Sequence, residues 1–414
     1  MKKNILFSVS VFALLFTTPA LAQESGLETL FKDGSFFGEV RYRYEGVEQD
    51  NALQDADAHT IRTNIGFKTG AHNGFSALGE LQFVQGLGDG YNSLDNGQTN
   101  FSVVADPDVT QINRAWVAYD GIADTEIKLG RQALNFDNQR FIGTVGWRQN
   151  DQTFDALTLT NTSIDNLNIK YSYLANVNRI FAGSTPADDL DSKSHLVNAS
   201  YKASDALKLS AYGYALDFKN AAALSNKTYG VRATGKTTIS DGVTLGYEAE
   251  YATQDDYGDN PNNYSEDYYH IAPSLSAGGF KFKLGYEVLG GDGTNAFQTP
   301  LATLHKFNGW ADIFLNTPAN GLEDAYVGAS YKVSDTKTLL DGAKIGATYH
   351  DFSGDEAGDL GSELDLSLAK KFKLPDVGQP YKDVNISLKY SDYNADDAPY
   401  VDTQKIWVQL GIKF

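Results

Sequence analysis

The feature that most constrains this chain is a period-two alternation that returns from one end to the other. In residues 36–45 Val40, Tyr42 and Tyr44 fall on one face, and Glu39, Arg41, Arg43 and Glu45 fall on the other. Ile61, Ile65 and Phe67 oppose Arg62 and Asn64; Leu81 and Phe83 oppose Glu80 and Gln82. Val117 and Tyr119 oppose Arg114 and Trp116, Leu245 and Tyr247 oppose Glu248 and Glu250, and Phe282 and Leu284 oppose Lys281 and Lys283. Successive side chains of a strand point to opposite faces, so each segment is a strand with one apolar and one wet side. Segments of this kind place strands near 36–46, 58–69, 74–85, 108–120, 123–133, 151–162, 165–177, 192–203, 205–218, 226–238, 242–254, 264–276, 279–290, 322–333, 342–353, 361–373, 383–394 and 402–414. Eighteen is an even number, as in bacterial membrane barrels whose two ends lie on the same side. The fold class is all-β: a transmembrane antiparallel up-and-down barrel.

The connections support that reading. Those after even strands are short and carry turn formers, as in His72-Asn73-Gly74, Ser204-Asp205 and Ser240-Asp241-Gly242. Those after odd strands are long and polar, notably 86–107, 134–150, 178–191, 255–263 and 291–321. This is the rhythm of short periplasmic turns and long external loops. Two turns, near 334–341 and 374–382, are longer than the rhythm requires.

Both ends carry export features. Lys2 and Lys3, an apolar run from Ile5 to Phe16 and Ala20-Leu21-Ala22 make a secretory signal over 1–22, leaving a barrel over 23–414. The last strand sets Ile406, Val408, Leu410, Ile412 and Phe414 on one face, so Phe414 is expected to end the signal read by outer-membrane assembly machinery. The expected location is the outer membrane of a Gram-negative bacterium, among lipopolysaccharide and lipid. The absence of Cys suits an oxidising route.

Composition then reads as a two-sided wall. An apolar fraction of 42% is what remains when half of each strand and all external loops face water. The 24 Tyr and 23 Phe suit girdles at the two interfaces. The formal charge of −19, more negative still without Lys2 and Lys3, argues against nucleic acid, whose binders need a basic face. No nucleophile elbow, zinc-protease helix motif or phosphate loop occurs, so no catalytic residue, cofactor or metal is expected. The acidic stretches around Asp50–Asp57, Asp255–Asp259 and Asp355-Glu356 lack calcium-loop spacing, and read as solvated loop charge bridged by divalent ions to lipopolysaccharide.

Inward-facing charges on this phase are Arg41, Arg43, Arg62, Arg114, Lys128, Lys170 and Arg232, with Glu39, Glu45, Glu80, Glu248 and Glu250. They make either ion-pair ladders that support the wall or a ring that selects a charged solute. The stretch over 130–157 is unusual in gathering Arg131, Arg140, Arg148, Phe136, Phe141 and Trp147. Planar guanidinium forks suit carboxylates, and flat rings suit sugar faces, so this segment is expected to fold inward and narrow the barrel.

At these residues the chain resembles the alginate export family of outer-membrane barrels. The matching stretches are Ile112-Asn113-Arg114-Ala115, Gly130-Arg131-Gln132, Asp137-Asn138-Gln139-Arg140-Phe141, Gly146-Trp147-Arg148-Gln149-Asn150, Thr153-Phe154-Asp155-Ala156 and His305-Lys306-Phe307-Asn308-Gly309-Trp310-Ala311-Asp312. The resemblance implies an eighteen-stranded monomeric channel whose arginine-rich constriction passes a polyuronate. It makes Arg114, Arg131, Arg140 and Arg148 the candidates for substrate carboxylates and Asp155 the counter-charge that holds them. An acidic chain must then keep its negative charge on the outer loops and its path basic, or else carry a different solute. The function expected is passage of an anionic oligo- or polysaccharide; the alternative is a general or differently specific porin for small nutrients.

Overall fold

The computed structural model describes residues 26–181, 183, 188–354, 358–373, 383–396 and 399–414. The expected signal over 1–22, the Asp355-Glu356 pair and the turn near 374–382 lie outside the described residues.

A short helix, α1 (Gly26–Lys32), precedes the strands; Gly70 N–H donates to the Leu30 carbonyl (2.8 Å) and Phe31 stacks near Phe67 (5.9 Å), so α1 lies against the turn after the second strand. Among the described residues eighteen strands follow: β1 (Ser35–Gln49), β2 (Ala56–Lys68), β3 (Phe75–Gly86), β4 (Val109–Ile122), β5 (Thr125–Gln132), β6 (Thr153–Asn161), β7 (Leu167–Asn178), β8 (Asp189–Ser204), β9 (Leu207–Leu216), β10 (Asn226–Ser240), β11 (Val243–Asp256), β12 (Ser265–Ala277), β13 (Phe280–Leu289), β14 (Leu322–Lys332), β15 (Lys344–Gly354), β16 (Gly358–Lys373), β17 (Asp383–Asn394) and β18 (Thr403–Lys413). Each pairs antiparallel with its neighbours, and β1 pairs with both β2 and β18. The sheet is closed, which leaves no edge whose N–H and C=O groups would meet lipid unpaired.

Register decides what each face meets. At the closure Val40 stands opposite Ile412, Tyr42 opposite Leu410 and Tyr44 opposite Val408, all on the outer side; Arg41, Arg43, Trp407 and Gln409 take the inner side. Exposed apolar side chains such as Ile65, Val231, Ile271 and Leu284 continue that outer band. Aromatic pairs Phe36–Phe67 (4.7 Å), Phe75–Tyr119 (4.6 Å) and Phe280–Tyr331 (4.4 Å) form its periplasmic border, as interfacial girdles do.

Two features depart from the sequence reading. Several strands run further outward than their apolar stripe; β1 reaches Gln49 and β8 begins at Asp189, because the backbone ladder continues where side chains are already polar. The expected wet interior also holds an apolar core in its outer half. Phe141, Phe154, Leu174, Leu196, Tyr268, Phe297 and Leu301 are buried together there. Loop residues pack on the inner face of the wall and take the place of water.

Candidate channel constriction and vestibule

Among the described residues the external loops 87–108, 133–152 and 290–321 enter the barrel. The loop over 133–152 turns inward because the inner faces of β1 and β2 present three arginines to its backbone. Arg41 donates from Nε to Gln149 Oε1 (2.9 Å), from Nη1 to the Gly146 carbonyl (3.0 Å) and from Nη2 to the Arg148 carbonyl. Arg43 donates to the Trp147 carbonyl and to Gln409 Oε1 (2.9 Å), with Asp106 of the first loop 3.6 Å away. Arg62 bridges Asp151 (2.9 Å) and Glu39 (2.9 Å). Buried carbonyls need donors, and a guanidinium has five in a fixed fork. These inward charges thus hold the loop to the wall.

Arg148 ties all three parts together. Its guanidinium meets Glu45 on β1 (3.1 Å) and Asp312 in the loop over 290–321 (3.2 Å). Burial alone would lower its proton affinity; Glu45, Asp106 and Asp312 overcome this and raise it. The two long loops also bond directly. Gly143 N–H donates to the Leu301 carbonyl (2.9 Å), Thr303 N–H to the Gln139 carbonyl (3.1 Å) and Arg140 Nη2 to Asn308 Oδ1 (3.0 Å), while Arg140 Nε lies 2.9 Å from Glu287 on β13.

Trp147 is packed on both sides. Its ring stacks on His305 at 4.0 Å and 7°, and the Arg43 guanidinium lies 4.1 Å from its centroid. The Lys389 ammonium of β17 sits 4.1 Å from Trp147, 3.5 Å from Trp310 and 2.6 Å from His305 Nε2. His305 Nδ1 is 2.9 Å from Asp312. Burial, with Lys389 beside it, pushes His305 down to about 3. A neutral ring donating from Nδ1 to Asp312 and accepting at Nε2 from Lys389 satisfies every contact. Gly309 lets this loop reach the wall: at φ +81° it sits where a Cβ would come within 2.3 Å of the Glu363 carboxylate, which accepts from Trp310 N–H and from Ala311 N–H (2.8 Å).

The remaining expected site residues are also paired. Arg114 forks onto Glu80 (2.9 and 2.5 Å), helped by a bulge between β3 and β4 that also brings Asn113 to the same carboxylate (2.7 Å). Lys128 meets Glu126 (2.9 Å) and lies 4.9 Å from the Trp116 ring. Arg232 bridges Glu248 and Glu250 (2.6 Å each). Arg131 does bond Asp155 (2.8 Å), but this pair stands apart from Arg140 and Arg148. By register Arg131 and Asp155 share the side of Leu129 and Leu157, the outer side of the wall. Phe136 and Phe141 are buried in the loop core, so neither they nor Trp147 presents an open ring face.

What stays open is the periplasmic half of the lumen. One chamber of about 520 Å³ has Lys202, Lys208, Arg232, Lys236 and Lys281 in its lining, with Asp205 and Glu248. A second of about 490 Å³ is lined by Glu39, Arg62, Asn64, Glu80, Arg114 and Asp151 among others. Lysines recur at the inward positions nearest the short turns. Lys202 stands directly opposite Lys208, and Lys332 opposite Lys344. Among the described residues Lys208, Lys236, Lys281, Lys332, Lys344 and Lys413 have no carboxylate within ion-pair distance. Carboxylates stand at both ends, on the external side at Asp50, Asp55, Asp89, Asp95, Asp255, Asp256, Asp259 and Asp402, and in the short turns at Asp124, Asp165, Asp205 and Asp241. The periplasmic mouth is therefore basic along β8 to β13, where five cations face Asp205 and Glu248, and mixed at the second chamber, where Arg62, Arg114 and Lys413 face Glu39, Glu80, Asp151 and Asp383. These lysines escaped the sequence reading because each strand supplies only one or two; the legible signal was a lysine on the polar phase beside each short turn.

The family model for alginate export matches residues 34–290. The chain belongs to the alginate export family. Comparison with curated protein sequences gives no match. Among solved structures the fold is shared with OpdK of Pseudomonas aeruginosa, solved with vanillate, at 14% identity over 93% of this chain and 100% of that one, with a TM-score of 0.70. It is shared likewise with OccAB2 of Acinetobacter baumannii (17% identity, 93% and 99% covered, TM-score 0.70) and with OpdO of Pseudomonas aeruginosa (14%, 94% and 99%, 0.68). This family member has the closed barrel fold of an outer-membrane channel.

Proposed function

We propose that the channel passes an anionic carbohydrate of the uronate class, and that the vestibule lysines attract it. The observation that carries this reading is the facing of lysines across strands, Lys202 opposite Lys208 and Lys332 opposite Lys344, with Asp205 beside Lys202 (2.8 Å) the only carboxylate paired to the four among the described residues. Like charges directly opposite cost stability. A wall that keeps two such pairs facing the same water-filled mouth gains from an anion in front of them, and field lines focus in such a cleft. The loop arginines have a different part. Arg140 and Arg148 are occupied by carboxylates and carbonyls, so they fix the loops that narrow the path while Arg62 and Arg114 border it. Family membership supports a polyuronate; the vanillate held by OpdK is also a carboxylate, and a small organic anion would meet the same lysines. Phe414, paired with Gly38 in both directions (3.0 Å), completes the strand that the assembly machinery would read.

The test is planar-bilayer current in the presence of oligouronate, a neutral oligosaccharide of equal length, or vanillate. Transient block by oligouronate well below the concentration needed for the neutral sugar supports the reading. Block by vanillate alone points to small-anion uptake, and equal passage of charged and neutral sugars sinks it.

A further inference from the structure

The outer wall carries a recess that the permeation path does not use. On β13 to β17 one cross-strand row reads Phe282, Ala329, Ala347, Leu366, Tyr390, each directly opposite the next. The row on its periplasmic side reads Phe280, Tyr331, Ile345, Leu368, Leu388. Two alanines between Phe282 and Leu366 leave a trough, about 450 Å³ in volume, lined almost wholly by apolar side chains on the lipid-facing side. It ends at the periplasmic border, where β16 turns Lys370 outward beside Ile386. The Lys370 ammonium donates to the Leu339 carbonyl and lies 4.5 Å from the Phe372 ring. An ammonium has three donors, so among the described residues two remain. The turn over 333–343, longer than its neighbours, places Leu339 (83% exposed) and Leu340 (50% exposed) beside the same edge.

We propose that this trough binds one phospholipid of the periplasmic leaflet, an acyl chain lying over Ala329 and Ala347 and the headgroup phosphate on Lys370. Length fits: Leu366 to Lys370 spans about 13 Å at 3.3 Å per residue, close to half of a hydrocarbon core of about 30 Å. Charge fits as well. At the external border three outward-facing carboxylates are held by tyrosines, Asp57 by Tyr44 (2.7 Å), Asp267 by Tyr251 (3.0 Å) and Glu323 by Tyr286 (2.5 Å). At the periplasmic end of the trough the outward group is a lysine, which snorkels its stem along apolar surface while its head meets phosphate. Leu339 and Leu340 then rest among the headgroups and not in open water.

The experiment is native mass spectrometry of the full barrel extracted in mild detergent, comparing wild type with Ala347→Phe, Ala329→Leu and Lys370→Gln, and with Ile61→Phe as a lipid-facing change elsewhere. A heat-modifiable gel shift establishes that each variant is folded. Wild type and Ile61→Phe should retain one phospholipid per chain. Ala347→Phe and Ala329→Leu should lower its occupancy at least tenfold, and Lys370→Gln should release it at lower collision energy. Equal retention in all variants overturns the proposal. So does an adduct of lipopolysaccharide mass, or a dimer in wild type that Ala347→Phe dissociates, which would make the face a contact between copies.

Discussion

Replacing Arg148 by alanine should open the constriction without unfolding the barrel. The guanidinium is buried between Glu45 and Asp312, themselves almost fully buried, at 3.1 and 3.2 Å. Removing one partner of a buried ion pair leaves uncompensated charge and costs about 3–5 kcal/mol. The strand ladder does not involve this side chain, so the cost falls on docking of the loops over 133–152 and 290–321. At about 1.4 kcal/mol per factor of ten, even 3 kcal/mol shifts the docked-to-undocked ratio by roughly two decades. Single-channel recording should show larger and noisier conductance in Arg148→Ala, with faster proteolysis between residues 290 and 321 and an unchanged heat-modifiable gel shift. A variant in which Arg148 becomes Met and Glu45 becomes Gln should be quieter than Arg148→Ala, because Asp312 keeps Lys405 (3.8 Å) and Arg43 keeps Asp106 (3.6 Å), so no lone charge remains. Conductance and proteolysis of Arg148→Ala indistinguishable from wild type would refute the latch.

Three further outcomes follow from the same contacts. His305 is held down to about 3 in the docked loop, so docking is fully supported above the ordinary histidine range near 6.5 and weakens as pH falls from there toward 3; at pH 5 the loss is roughly 2 kcal/mol, and the conductance change between pH 7 and 5 should largely vanish in His305→Phe. Gly309→Ala puts a Cβ within 2.3 Å of the Glu363 carboxylate at a left-handed φ, and should cost about 1–2 kcal/mol for the backbone alone, read as proteolysis of the same loop. Gly38→Val places a Cβ within 2.4 Å of the Phe414 ring at the seam of β1 and β18, and should lower the yield of heat-modifiable barrel in outer membranes; an undiminished yield would remove the seam from the assembly argument.

The barrel was legible because its rule is local. Period two in residues 36–45 assigns Arg41 and Arg43 inward and Tyr42 and Tyr44 outward without knowledge of any partner, and the register agrees. The inward course of the loop over 133–152 was legible too, since exposed loops seldom gather so many arginines and rings. Pairing was not. Arg148 finds Glu45 and Asp312 more than a hundred residues away in either direction, and no spacing in the sequence announces that. The outward side of Arg131 and Asp155 depends on how β5 and β6 register, although the motif reads like a pore contact. The basic mouth was hidden for a simpler reason. Its lysines come from β8 to β10, β13 to β15 and β18, and the total charge of −19 averages them with the acidic loops.

The most direct measurement is the reversal potential of the reconstituted channel under a salt gradient, for wild type and for a variant with Lys202, Lys208, Lys332 and Lys344 changed to Gln. A basic mouth predicts that wild type prefers anions despite its acidic net charge, and that the variant loses most of that preference at low ionic strength. A wild-type channel that prefers cations, or a variant with the same reversal potential as wild type, would contradict the account.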